Sequence, residues 1–93
     1  MHAVESPPAL KSDQDPFATA FAVVKLAAEE HGEQIRCMDR ETAQAVSVAH
    51  QRASLTVALA PEERHRHTLM ARVYDRVAHA MGIMEQCAKS VRG

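Results

Sequence analysis

The sequence predicts an all-α fold: a short N-terminal helix packed on a long antiparallel helical hairpin, a three-helix bundle with room for completion by dimerisation. Three observations predict it. Seventeen of the 93 residues are alanine, against three aromatics and three glycines, a balance that favours helices over sheets. Met70, Val73, Val77, Ala80, Met84, Cys87 and Val91 recur at alternating steps of three and four residues, the spacing of a packed helical seam. Gly32 and Pro61 stand where the helical pattern needs to stop and restart.

Residues 1–14 hold Pro7, Pro8 and scattered polar residues with no apolar period, so they read as a flexible arm that cannot offset its own ordering entropy. Residues 15–93 read as one helical domain. Asp15-Pro16 is a helix start, the carboxylate capping free amides and the proline sitting where its missing donor costs nothing. The first helix is predicted over 16–31 and ends at Gly32, since glycine accepts the positive φ that helix ends often require. Its apolar stripe is Phe17, Phe21, Val24 and Ala28, with Ala20, Val23 and Ala27 beside it.

A second helix is predicted over 33–60, a stretch without glycine or proline that would be about 42 Å long. Its main face is Ile35, Thr42, Val46, Ala49, Ala53, Thr56 and Ala60, flanked by Met38 and Ala45. Leu55, Leu59, Val48 and Cys37 fall about 200° away, which gives its far half a second apolar side. Pro61, followed by Glu62 and Glu63, opens a third helix over 61–92, the glutamates matching the positive end of its dipole. Arg64, Thr68, Arg72, Asp75, His79, Gln86 and Lys89 form its polar face. If the second and third helices fold back at Pro61 and the first runs along the second, the end around residues 51–71 has only two helices and leaves Leu55 and Leu59 uncovered.

Composition removes several classes of function. The formal charge is −1 and the pI near 6.6, whereas nonspecific nucleic-acid and polybasic membrane binders carry a net basic footprint. The opening residues lack the apolar stretch of a secretory signal and no run approaches a membrane span, so a cytoplasmic protein is expected. Cys37 and Cys87 are expected to be free thiols, and neither has the near cysteine neighbour of a zinc site. Of six histidines, His65 and His67 stand two apart, about 200° round a helix, and none has zincin spacing. Catalytic, cofactor and metal residues are accordingly predicted as none, and His50 and His79 as helix-flank residues.

The expected role is a small non-catalytic protein-interaction module, an adaptor, regulator, inhibitor or chaperone-like subunit acting as a homodimer or on another protein. Val48, Leu55 and Leu59 are the predicted apolar contacts; Arg64, Arg66 and Arg72 are the predicted polar steering residues. An alternative is a nucleic-acid-associated regulator that uses the basic run Arg64-His65-Arg66-His67 beside the turn at 60–61. A remote alternative is a histidine phosphotransfer-like protein. The segment Ala49-His50-Gln51-Arg52-Ala53-Ser54 sets a helical histidine beside small and basic residues as that family does, but it lacks the Lys-Gly that follows the family's histidine and Arg52 stands at a different offset, so no resemblance is claimed.

Overall fold

A computed structural model describes residues 15–92, so the arm expected over 1–14 lies outside the described residues. Helix α1 is Pro16–His31, a 3-10 turn follows at Glu33–Cys37, α2 is Arg40–Ser54 and α3 is Pro61–Arg92. The described residues contain no strand, and the three helices pack together.

The caps of α1 follow its sequence signals. Asp15 Oδ1 accepts from the Ala18 amide at 3.1 Å, and the Gly32 amide donates to the Ala28 carbonyl at 2.9 Å. Gly32 has φ 130°, which an L side chain rarely adopts. Helix α3 also begins where expected: Glu63 reaches back to accept the Ala60 amide at 3.2 Å while the Ala60 carbonyl accepts the Arg64 amide at 3.0 Å. That is half of a capping box, with Ala60 lacking the side-chain oxygen of the other half.

The second helix departs from expectation at both ends. It is not continuous over 33–60: its first turn is the 3-10 segment, Met38 is extended, and the α-helix starts afresh behind Asp39. Asp39 Oδ1 accepts the Thr42 amide at 2.7 Å, a cap that outweighs continuing the helix through Met38. At the other end the helix stops at Ser54, and six residues separate it from Pro61. Ser54 and Thr56 turn their hydroxyls onto the Gln51 and Arg52 carbonyls, at 2.6 and 3.1 Å. The Leu55 amide bonds the Arg52 carbonyl in a tightened last turn, and a further turn joins Leu59 to Thr56.

Helices α2 and α3 lie antiparallel, because their contacts climb one chain as they descend the other: Arg40 to Glu85, Ser47 to Ala71, His50 to His67. Helix α1 packs mainly on α3 and not along the second helix as expected. Its Pro16 end meets Ile83 and Ala80, and its Leu26–His31 end meets Val77 and Val73. The 3-10 segment and Met38 return along α1, past Phe21 and Lys25, so that α2 starts level with the start of α1. The 3-10 break is what makes this reversal possible.

The core is thin and made of small residues: Ala20, Ala27, Ala28, Ala43, Ala71, Ala78 and Ala80 are buried with Val24 and Tyr74. Ile35 and Val77, at 0 % exposure, are its largest fully buried side chains. Helix α3 carries two adjoining stripes. Val73, Val77 and Ala80 turn to α1, while Ala71 and Tyr74 turn to α2. The buried face of α2 is Ala43 and Ser47, with Val46, His50, Ala53 and Ser54 half-buried; Thr42, Ala45 and Ala49, expected inside, are exposed, as are Thr56 and Ala60 in the turn. The restart at Asp39 rotated the face by one residue. Of the seam predicted on α3, Met84 and Cys87 are half-buried and Val91 lies outside the residues whose side chains are described.

Gly32→Ala forces an L residue into positive φ, and its Cβ would run into the Gln34 side chain. Gln34 can swing aside, so the backbone carries the cost. The substitution should destabilise by about 1 kcal/mol or more in urea unfolding, with the helical signal of the native state unchanged.

Candidate functional site

The α2–α3 interface holds a polar cluster that begins with a serine where a larger apolar residue would be usual. Ser47 is 2 % exposed and donates to the Ala71 carbonyl at 2.8 Å, which satisfies its hydroxyl and lets the helices approach closely. One turn on, His50 stacks on the buried Tyr74 ring with centroids 5.8 Å apart and planes 20° from parallel. The His50 ring also meets His67 of α3. Their Nδ1 atoms are 2.8 Å apart, and the rings are tilted by 35° with centroids at 5.1 Å.

That separation constrains the protons. One Nδ1 must donate and the other must offer a lone pair, so the two imidazoles cannot both be imidazolium in this arrangement. Burial lowers the His50 pKa from its ordinary value of 6.5, and repulsion from His67 lowers it further. Both rings are half-buried, so solvent reaches the pair. Along α3, Glu63 and Arg64 sit one turn before His67. Glu63 is engaged at the Ala60 amide, while the Arg64 Nε is buried without a hydrogen-bond partner. The cluster can share a proton or present two imidazole lone pairs to one point.

The residues predicted as contacts are placed differently. Leu55 is 80 % exposed, in the turn and not on a helical face, and Val57, which the sequence reading passed over, is 86 % exposed beside it. Val48 and Leu69 are a little under half exposed on the adjoining helices, and Leu59 is half-buried. Arg66 and Arg72 are exposed and Arg64 is half-buried. Arg66 points about 120° away from Arg72 round the helix axis, so the basic run does not gather on one face. Arg72 borders a groove with Asp75, Gln51 and Ser54, where an opposite charge dilutes it.

Cys37 and Cys87 are free thiols. Among the described residues no helix is long and apolar enough to cross a membrane, and no three histidine, cysteine or carboxylate side chains converge. The sequence reading missed the His50–His67–Tyr74 cluster. The signal was present: with Asp39 as a cap, the 43, 47, 50, 54 spacing puts His50 on the buried face.

No family model, curated protein or solved structure matches this chain. The site therefore rests on its own geometry.

The pH dependence follows from the lowered pKa. Above about pH 7.5 His50 is neutral both folded and unfolded and contributes no slope. As pH falls through 6.5 the unfolded chain takes up a proton that the folded chain resists, so this increment of stability is lost on acidification. Urea midpoints measured between pH 8 and 5 (~half-unit steps) should fall below about pH 6.5, and His50→Gln should flatten that part of the curve.

Proposed function

We propose that this chain is a small non-catalytic protein-interaction module that docks through the end of the α2–α3 pair that α1 does not cover. The observation that supports this reading is the turn at 55–57. Leu55 and Val57 are 80 % and 86 % exposed, with no role in the core, where an isolated module would gain solubility from polar residues. Helix α1 spans about 24 Å against about 48 Å for α3, and its last turn reaches Val73. Among the described residues, the first turns of α3 therefore have only α2 and the turn beside them.

The occupant favoured is a second copy, since a self-complementary two-fold contact is the commonest way for a small chain to cover such an end. In this reading Leu55, Val57 and Leu59 supply the apolar contact, with Val48 and Leu69 at its border. Arg66 and Arg72 orient the approach from the rim. A helical pair with a core this rich in alanine gains little from its own burial, and association would add to it. The roles consistent with such a surface are those of an adaptor, regulator, inhibitor or chaperone-like subunit in the cytoplasm.

Light scattering of the full chain at micromolar concentration should give about twice the 10.2 kDa monomer mass. Leu55→Ser combined with Val57→Ser should return the monomer mass with helicity unchanged, because these exposed side chains stabilise nothing within one copy. A monomeric parent chain would overturn self-association, and loss of helicity in the double variant would place the two residues in the core.

A further inference from the structure

The geometry points to a second property of the α2–α3 interface: His50 and His67 form a two-imidazole site for a borderline divalent cation of the zinc class, bridging the two helices, with water completing the coordination. Histidines 17 positions apart are brought together with their Nδ1 atoms 2.8 Å apart. When both rings carry their proton on Nε2, both Nδ1 lone pairs aim at the space between them. Two imidazole nitrogens on a tetrahedral cation at about 2.0–2.1 Å are about 3.3–3.4 Å apart. The pair needs to open by about 0.5 Å to reach that spacing, and the tilted, half-buried rings have the freedom to do so.

The surroundings favour a site over a chance contact. Tyr74, 6 % exposed, stacks on His50 and fixes the plane of its ring, and the Ser47 bond to Ala71 fixes the helix spacing one turn further in. Tyr74 thus positions His50 from outside the coordination sphere, and the half-buried His67 is the ring that moves to admit the cation. Partial exposure leaves an entry path for the cation and room for its waters. The nearby charges set the affinity: the Arg64 guanidinium one turn before His67 opposes a cation, and Glu63 beside it offsets that charge. Imidazole ligation selects zinc, copper or nickel over magnesium or calcium, which prefer oxygen. Both rings must be neutral to bind, so acid releases the cation.

The test uses the full chain, stripped of metal, at about pH 7.5. Zinc chloride should raise the melting temperature of the parent chain and of His65→Gln, and the rise should be lost in His50→Gln and in His67→Gln. Magnesium chloride should leave it unchanged. A rise that survives either substitution at the pair would overturn the site, as would no rise with zinc up to about 1 mM. A reading that needs no variant comes from imidazole nitrogen resonances of the parent chain. The Nδ1 signals of His50 and His67 should shift together and saturate as zinc is added; if they stay fixed while other histidines shift, the site is wrong.

Discussion

The structure depends on one disproportion: α3 has 32 residues, twice the 16 of α1 and about twice the 15 of α2. A helix that long cannot be covered along its whole length by two short ones lying side by side. The described residues cover the half toward Ile83 on two sides, with α1 and α2, and leave the half toward Pro61 with α2 and a turn. The 3-10 segment is the device that makes the double cover possible. It returns the chain along α1 so that α2 can start at the same end, and it buries Ile35 at 0 % exposure against α1. Alanines on the facing stripes then let the helices approach, at the cost of a core with few large side chains.

Much of this was legible from the chain alone, and the legible parts share a cause. Asp15-Pro16, Gly32 and Pro61 act through their own backbone chemistry, so the limits of α1 and the start of α3 follow from local sequence whatever packs against them. The second helix was misread because its limits are set by side-chain hydrogen bonds onto the backbone. Asp39 caps a new start, and Ser54 and Thr56 draw off the last carbonyls, in a stretch that lacks the glycine or proline that would announce a break. A periodicity drawn straight through Met38 carries the phase of the 3-10 turn into α2. It then selects Thr42 and Ala49 for the inside in place of Ala43, Ser47 and His50.

That error in phase also hid the candidate site. Ser47 and His50 look misplaced on a buried face until their partners are known, and the partners, the Ala71 carbonyl and His67, lie far along the chain. Val57 was hidden in the same way, since a residue assigned to a helix is judged by its face and a residue in a turn by its exposure. Leu55 stood out under either assignment because its surroundings, wherever the helix ended, offered it no neighbour.

The polar cluster answers a difficulty that the alanine-rich interface creates. Facing stripes of small, similar residues pack nearly as well after one helix slides by a turn, so apolar contact alone leaves the register of α2 on α3 weakly specified. A buried hydroxyl that must find a carbonyl resists such a slide, because a slipped register strands it inside at about 1–3 kcal/mol, and the imidazole contact, though reached by solvent, would be lost as well. Ser47 and His50 are one turn apart on α2, and they meet Ala71 and His67, one turn apart on α3, in antiparallel order. The same two contacts therefore fix the register and decide which end of α3 stays open. The histidines sit toward that end, where solvent reaches both rings.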